Sequence, residues 1–423
     1  MTARGIPAGY LVGGVETPYA WFRLAVSVLI CTIGSVGMWS VVVVLPAVQD
    51  EFGVGRADAS LPYLTLTIGL AVGGIAMGRL TDRVGIIPPL FLGSLALALG
   101  YFLASRAGSL LEFALVHGVL IGMLGSSATF GPVIADISHW FTKRRGIAVA
   151  IAACGTYMAG AVWPPIIQHF VETFGWRQAY AGIGGICLVT ILPLSLLLAR
   201  RRPTVDVSGV LQPRTGGAPA ALPLSARTLQ TLLVVAGLSC CIAMAMPQVH
   251  IVALCVDLGY GSGRGAQLLS VMLASGIVSR LAFGFMADRF GPLPTLLLSS
   301  TLQSLSLLLF IPFDGLAPLF MVSLLFGLAQ GGIVPTYAAI IREHFAPEQA
   351  GARIGLTLSA TLVGMAVGGW MSGAIYDLTL SYDAAFLNGF LWNVLNVAIA
   401  LYLLFRLGPR RMASGVGRIA DPA

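Results

Sequence analysis

Long apolar runs, separated by short polar segments, follow one another along the whole chain. Each run extends for about 18 residues or more with almost no charge, which is the length that an α-helix needs to cross a lipid bilayer. The pattern predicts twelve membrane-spanning helices, which we number in chain order, near residues 22–47, 60–80, 87–105, 109–135, 146–170, 177–199, 229–257, 264–287, 291–313, 315–341, 351–376 and 384–406. The predicted fold class is therefore an all-α membrane protein.

A polar stretch separates the sixth apolar run from the seventh. It extends over residues 200–227 and is rich in proline and glycine, which is typical of a flexible linker. We therefore expect an N-terminal six-helix bundle over residues 1–200, a cytoplasmic linker over 201–228 and a C-terminal six-helix bundle over 229–423.

The composition indicates a polytopic membrane protein. Of the 423 residues, 57% are hydrophobic and only 10% are charged, whereas soluble domains average about 25% charged residues. The six cysteines all fall inside apolar runs, so we interpret them as small packing residues rather than a disulfide or metal framework. No phosphate-binding loop, metal-ligand cluster or catalytic triad is recognisable, so we expect no metal, no cofactor and no enzymatic activity.

Basic residues fall mostly on one side of the predicted membrane. If both termini are cytoplasmic, nineteen of the 24 basic residues lie in inner segments and four lie in outer loops, namely Arg56, Arg106, Arg177 and Arg264. Because positive residues concentrate on the cytoplasmic side, this is the predicted orientation. The net charge of +7 then reflects the anionic inner leaflet rather than a nucleic-acid partner.

An eight-residue frame, G-x-x-x-D-R-x-G, occurs once in each half of the chain. It covers residues 78–85 and again residues 284–291, with an offset of 206 residues at every matched position. A weaker similarity relates residues 140–146 to residues 344–351. Such repeats predict two halves of similar structure with a binding site near the membrane midplane between them, as in secondary transporters.

The two frames follow the second and the eighth helix, at their predicted cytoplasmic ends. An aspartate in such a position can stabilise the positive N-terminal end of a neighbouring helix in one conformation only. We therefore interpret the shared residues as an inner gate between two transport states. The inner-gate residues are Gly78, Asp82, Arg83, Gly85, Gly284, Asp288, Arg289 and Gly291.

One arginine, Arg280, lies inside the eighth apolar run. A charge at that depth costs about 2.5–3.5 kcal/mol on insertion scales, and such residues normally face an interior cavity and mark a functional site. Gly276 and Gly284 lie four residues before and after Arg280, so they share its helix face and leave room for an anion. The alternative is a structural arginine that binds the backbone carbonyls of broken helices.

Other polar residues in the predicted helices are further candidates for the binding site. His250 could contact substrate or relay a proton, but a neutral hydrogen bond between helices explains it equally well, and for His117 that structural explanation is preferred. Asp257 is expected to pair with Arg264 across a short outer loop. The remaining candidates, each of which could instead serve helix packing, are Tyr157, Tyr337 and Asn393.

Over essentially its full length the chain resembles the major facilitator superfamily. The frame over residues 78–85 is similar to that superfamily's loop signature, although Ile86 and Ile87 stand where basic residues usually complete it. The resemblance implies two pseudo-symmetric six-helix bundles with both termini in the cytoplasm, and transport by alternating access.

Three segments resemble two branches of this superfamily. Residues 140–160 are similar to the fifth-helix signature of monocarboxylate transporters. The spacing of Arg280, Gly284 and Asp288 is similar to their eighth helix, where the arginine holds the substrate carboxylate. Residues 19–21 weakly resemble bacterial relatives of the oxalate:formate antiporter. The resemblance implies that Arg280 binds a carboxylate.

The chain departs from both branches in its membrane charges. Animal monocarboxylate carriers have an aspartate where Gly276 stands and a lysine in the first helix, whereas the run Leu24–Ala47 here holds no charge. Proton coupling through those two groups is therefore not implied. Lys143 is the only lysine, so the second membrane cation of the oxalate:formate antiporter is also missing. One buried cation neutralises one carboxylate, which favours a monocarboxylate.

The sequence thus predicts a transporter of a small monocarboxylate anion that works by alternating access, with a proton, by exchange or without coupling. We expect it to act as a monomer, with multiple passes through a bacterial inner membrane. One alternative is a drug:proton antiporter of the same fold, although the fifth helix lacks the Gly-Pro pair that is typical of those. The other is a membrane sensor that transports nothing, although only about fifteen polar residues follow the last helix.

Overall fold

The computed structural model describes residues 16–142, 144–200 and 224–407. Within these ranges it contains twelve helices that are long and apolar enough to cross a membrane, so the predicted number is confirmed. They are α1 Pro18–Phe52, α2 Arg56–Val84, α3 Ile87–Ala104, α4 Leu110–Trp140, α5 Arg145–Phe174, α6 Trp176–Leu196, α7 Ala226–Asp257, α8 Gly261–Phe290, α9 Pro292–Leu309, α10 Leu316–His344, α11 Gln349–Thr379 and α12 Asp383–Leu407.

Most of these helices extend a few residues past the predicted apolar runs, because polar residues at the ends of a run continue the helix. The predicted linker falls largely on residues 201–223, outside the described residues, and α7 already begins at Ala226. We call the two ends of the helix bundle inner and outer, after the orientation that the basic residues predict.

Four of the helices are irregular near the middle of the membrane. Ser35 interrupts α1, Cys154 interrupts α5, and Gly331 and Gly332 interrupt α10. In α4, residues 117–126 form a π-helical segment. Such irregularities bend a helix and shift backbone carbonyls out of the regular hydrogen-bond pattern, which makes those carbonyls available to side chains. Hydropathy alone did not reveal these breaks.

The two repeated frames adopt the same backbone conformation in both halves. Gly85 ends α2 with φ +83°, and Gly291 ends α8 with φ +92°, a region that residues with a side chain rarely adopt. The weaker repeat is also matched, because Phe141 after α4 and Phe345 after α10 are both extended. The sequence repeat therefore corresponds to a repeat of local structure.

The two halves meet mainly where α5 packs on α8, α2 on α11 and α1 on α7. The Ser270 hydroxyl of α8 donates a hydrogen bond to the Ala161 carbonyl of α5. At the outer end, a Cβ on Gly373 of α11 would lie 2.8 Å from the Arg56 carbonyl oxygen of α2. Small residues thus allow the two halves to approach each other closely at the outer end.

Candidate transport site and gates

Arg280 lies at the junction of the two halves. Its Nη1 atom donates to the Ala153 carbonyl of α5 at 2.8 Å, and its Nε atom donates to the Gly331 carbonyl of α10 at 3.5 Å. The guanidinium carbon is 4.4 Å from the centre of the Tyr157 ring, which is a cation–π distance. A single side chain of the C-terminal half therefore contacts the N-terminal half through both a hydrogen bond and an aromatic ring.

Both carbonyls that bind Arg280 lie beside helix breaks, Ala153 before the break in α5 and Gly331 within the break in α10. This is the environment that a structural arginine would have. Carbonyls carry no net charge, however, and no carboxylate among the described residues forms an ion pair with Arg280. A half-buried cation without a counter-charge is a favourable place for an anion to bind.

The two glycines that flank Arg280 have different roles. A Cβ on Gly276 would lie 2.5 Å from Cδ1 of Tyr157, so this glycine provides room for the tyrosine ring rather than for a ligand. A Cβ on Gly284 would meet nothing within 4 Å, so the space beside this glycine is open. Of the predicted substrate-binding residues, the structure therefore brings together Arg280, Tyr157 and Gly276.

Tyr337 and Asn393 do not contact Arg280, although they were predicted to share its site. The Tyr337 hydroxyl donates to Oδ1 of Asn396 at 2.7 Å, and Nδ2 of Asn393 donates to the Ser300 carbonyl and to the Ser304 hydroxyl, each at 2.9 Å. Tyr337, Asn393 and Asn396 are fully buried among α9, α10 and α12. Buried polar groups need hydrogen-bond partners, and here these residues satisfy one another inside the C-terminal half.

His250 is also distant from Arg280. It lies seven residues before the outer end of α7, about 10 Å from that end, whereas Arg280 lies 19 residues into α8, about 28 Å from its outer end. Its Nε2 atom is 2.8 Å from the Gly369 carbonyl of α11, and its Nδ1 atom is 3.3 Å from the Tyr382 hydroxyl. The structure thus places His250 among interhelical hydrogen bonds at the outer end.

A cluster of charged residues joins the two halves at the outer end. Nη2 of Arg56 in α2 donates to Asp257 of α7 at 3.0 Å, and Nη1 donates to the Tyr382 hydroxyl before α12 at 2.8 Å. The arginine side chain is 7% exposed and the aspartate 27%. The predicted pair of Asp257 with Arg264 is wrong, because Arg264 instead donates to Gln267 on its own helix.

Asp377 of α11 completes this cluster by capping α2. Its two carboxylate oxygens accept hydrogen bonds from the backbone amides of Arg56 at 2.7 Å and of Ala57 at 2.8 Å. A carboxylate stabilises the positive N-terminal end of a helix, and here the carboxylate comes from the opposite half. Burial raises the pKa of the Tyr382 hydroxyl, so it remains protonated and can donate. We call Arg56, Asp257, Asp377 and Tyr382 the outer gate.

The inner-gate residues make no comparable contacts. Asp82, Arg83, Asp288 and Arg289 are exposed, and no hydrogen bond or ion pair links any of them to another residue of the described ranges. The structure is therefore closed at the outer end, whereas the described ranges contain no hydrogen bond or ion pair of its inner-gate aspartates and arginines. We call this the outer-closed state.

A cavity of about 370 Å³ lies between the inner ends of α1, α2, α4 and α6. At its side, Nε of Arg23 donates to Asp136 at 2.7 Å in an ion pair that is almost completely buried. Asp136 thus holds α1 against α4. This ion pair lies wholly within the N-terminal half, so it does not belong to either gate.

The structural role predicted for His117, a hydrogen bond between helices, is confirmed. Its Nδ1 atom is 2.7 Å from the Phe113 carbonyl, and its Nε2 atom is 3.2 Å from the Tyr180 hydroxyl. All three residues belong to the N-terminal half. Among the described residues, moreover, no cluster of histidine, cysteine or acidic side chains could hold a metal ion.

Comparisons with known proteins agree with this fold. A family model described as Major Facilitator Superfamily matches residues 27–313 and 231–418. Monocarboxylate transporter 13 of Rattus norvegicus is 31% identical over 334 residues, which cover 76% of this chain and 74% of the relative. Monocarboxylate transporter 11 of Mus musculus is 28% identical and covers 90% of this chain and 86% of its own length.

Solved structures show the same architecture. The crystal structure of a bacterial homologue of the human lysosomal transporter Spinster, in an inward-facing and unoccupied conformation, aligns with a TM-score of 0.64. It is 14% identical in sequence, and the alignment covers 92% of this chain and 96% of that one. The two relatives named above are from mammals, so they do not support the bacterial branch in particular. The chain belongs to the Major Facilitator Superfamily and is similar to monocarboxylate transporters.

Proposed function

We propose that this protein transports a small monocarboxylate anion across the membrane by alternating access, with Arg280 as the residue that binds the carboxylate. The observation that carries the proposal is the position of Arg280, a cation without a carboxylate partner among the described residues, at the junction of the two halves. The names of the relatives, monocarboxylate transporters at about 30% identity, support the same class of substrate. The bacterial inner membrane remains the location that the sequence predicts.

The geometry suggests how substrate would act on the two halves. Without substrate, Nη1 of Arg280 donates a hydrogen bond to the Ala153 carbonyl of the opposite half. A carboxylate accepts charge-assisted hydrogen bonds that are roughly twice as strong as those to neutral carbonyls, and it can bind a guanidinium with both oxygens. Substrate would therefore replace the contact with Ala153, and binding would change how Arg280 connects the two halves.

Tyr157 would restrict where the carboxylate can bind. Its ring centre lies 4.4 Å from the guanidinium carbon, so the ring occupies that side of the cation and a ligand cannot. A carboxylate would approach from the remaining sides, where bidentate pairing in the plane of the guanidinium is the favoured geometry. A single cation at this place also explains why a rigid dicarboxylate would be a poor substrate, since its second charge would be buried without a partner.

Ligand-dependent thermal stabilisation of the purified protein tests this proposal. A panel of small monocarboxylates, dicarboxylates and lipophilic cations would be titrated against the wild type, Arg280→Ala and Arg280→Lys. Arg106→Ala is a matched control, because Arg106 is an exposed outer-loop arginine that stacks on Phe102. We expect monocarboxylates to stabilise the wild type and the control, with affinity at least about 30-fold weaker in Arg280→Ala, corresponding to about 2 kcal/mol.

The Arg280→Lys variant keeps the charge but loses the planar, two-donor geometry. Its affinity for monocarboxylates should therefore lie between that of the wild type and that of Arg280→Ala. Two results would overturn the proposal. Stabilisation by monocarboxylates that persists in Arg280→Ala would move the binding site away from α8. Stabilisation by lipophilic cations alone would favour the drug:proton antiporter instead.

A further inference from the structure

A continuous chain of hydrogen bonds crosses the outer gate and passes through His250. It runs from the Gly369 carbonyl to His250, from His250 to the Tyr382 hydroxyl at 3.3 Å, from Tyr382 to Arg56 at 2.8 Å, and from Arg56 to Asp257 at 3.0 Å. The chain connects α7, α11 and the segment before α12 in the C-terminal half to the first turn of α2 in the N-terminal half. His250 itself is fully buried in it.

These contacts determine where the protons are. A carbonyl oxygen only accepts, so Nε2 of His250 must carry the hydrogen that bonds to Gly369. Tyr382 accepts from Arg56 and keeps its own hydroxyl hydrogen, for which Nδ1 of His250 is the acceptor. The imidazole that fits the outer-closed state is therefore neutral, with its hydrogen on Nε2 and the lone pair of Nδ1 accepting the Tyr382 hydrogen.

A protonated His250 would not fit the same gate. An N–H on Nδ1 would face a tyrosine oxygen that already accepts from Arg56, and the tyrosine hydrogen would lose its acceptor. The imidazolium charge would also be fully buried. Burying a charge without a partner is costly, so protonation opposes closure of the gate.

No charged group packed around His250 compensates for that charge directly. One oxygen of Asp257 accepts from Arg56, and the two oxygens of Asp377 accept from backbone amides of α2. Tyr376 lies against Arg56 as a neutral ring, and Arg264 at the start of α8 bonds to Gln267. The titratable and charged groups that surround this end of α7 are thus Arg56, Asp257, Arg264, Tyr376, Asp377 and Tyr382.

We propose that His250 is a proton-binding site that controls the outer gate. The gate closes over the neutral imidazole, and an external proton reaches His250 and binds to it when the gate is open. Acid on the outer side therefore favours the outer-open state. This inference rests on the alternating access of the proposed function, but not on the identity of the substrate or on Arg280.

His117 provides a matched control for His250. It is equally buried and also bonds to one carbonyl and one tyrosine hydroxyl, but all its partners lie within the N-terminal half. Its protonation can affect the stability of that half, but it does not distinguish the open from the closed outer gate. A pH response that comes from the gate should therefore depend on His250 and not on His117.

The test measures the distance between the two halves at the outer end. Spin labels would be placed at Arg106→Cys and Asp314→Cys, two exposed outer-loop positions in opposite halves, since the native cysteines are buried. Double electron–electron resonance would be recorded on the full-length protein in lipid nanodiscs, without substrate, from pH 8 to pH 5. Three proteins would be compared, with His250→Gln and His117→Gln introduced separately into the labelled background. Glutamine keeps one donor and one acceptor but does not titrate.

We expect the ratio of outer-open to outer-closed protein to rise by about three- to tenfold between pH 8 and pH 5 in the labelled parent and in His117→Gln. In His250→Gln the ratio should stay constant over this range. If His250→Gln does not fold, His250→Asn takes its place in the same measurement.

Either of two results would overturn the inference: a parent protein whose distances do not change with pH, or a His250 variant that keeps the parent's response. Because no carboxylate is present and Arg280 is unchanged, this result is separate from the test of the proposed function. Failure of carboxylate binding would leave the pH response in place, and loss of the pH response would leave carboxylate binding in place.

Discussion

The outer gate and the inner gate use the same residue types in opposite ways. At the outer end, Arg56 bonds to Asp257 across the two halves, and Asp377 of the C-terminal half caps a helix of the N-terminal half. At the inner end, Asp82 and Arg289 are exposed and form no hydrogen bond or ion pair within the described ranges. Aspartate and arginine at helix ends thus bond across the two halves at one end of the molecule and not at the other.

This difference suggests how two sets of charges, one at each end of the molecule, can each stabilise one state. Contacts between helix ends and carboxylates of the opposite half stabilise whichever end is closed, and they must be given up for that end to open. If the two sets are of similar strength, neither state is trapped, which a transporter requires. Arg280 lies at the junction of the two halves, and under the proposed function a substrate bound there would change the link between them.

The strongest test of the comparison removes Arg56. In the outer-closed state Arg56 holds Asp257 and Tyr382, so Arg56→Ala should shift the equilibrium toward the outer-open state by about 30-fold, or about 2 kcal/mol. We expect less than the full cost of breaking a buried pair because the Asp257 side chain is 27% exposed. The spin-label distance between positions 106 and 314 measures this shift.

Arg264→Ala is the control for this variant. Arg264 is the nearby outer arginine that the sequence assigned to Asp257, but within the described ranges its side chain bonds to Gln267 and not to Asp257. Its removal should leave the distance distribution unchanged. An equal shift in both variants would mean that general loss of positive charge, and not the contact with Asp257, opens the outer end.

A smaller effect is expected at the inner gate. Asp82→Asn and Asp288→Asn remove carboxylates that have no described partner in the outer-closed state, so the thermal stability of that state should change by no more than about 0.5 kcal/mol. The transport rate should fall in both variants, because the state that closes the inner end loses a contact. Thermal unfolding and transport assays in liposomes, made on the same preparations, would show whether a nearly unchanged stability goes together with a reduced transport rate. A large loss of thermal stability without a loss of rate would contradict the gate assignment.

Much of the fold was predictable from the sequence. Uninterrupted apolar runs identify membrane helices because every backbone polar group in lipid must be bonded within its own helix. The repeated frame predicted two similar halves, and Gly85 and Gly291 indeed adopt matching backbone conformations. Arg280 was recognisable because inserting a charge into the membrane costs free energy, so a charged residue there normally marks a functional site.

The partners of individual residues were less predictable, because they depend on how distant helices pack. Arg56 and Asp257 are separated by 201 residues, and nothing in either local sequence links them. The sequence paired Asp257 with its near neighbour Arg264 and so missed the outer gate. Tyr337 and Asn393 were placed beside Arg280 because they are polar and lie in membrane helices, whereas they in fact bond within the C-terminal half.

Exchange of a radiolabelled monocarboxylate across proteoliposomes tests the central claim most directly. The best ligand from the binding panel would be preloaded inside, and uptake would be compared for the wild type, Arg106→Ala and Arg280→Ala. The account predicts saturable uptake by the wild type and the control, and a loss of at least about 30-fold in Arg280→Ala. Saturable uptake at the wild-type rate by Arg280→Ala, in protein that is folded and reconstituted equally well, would contradict it.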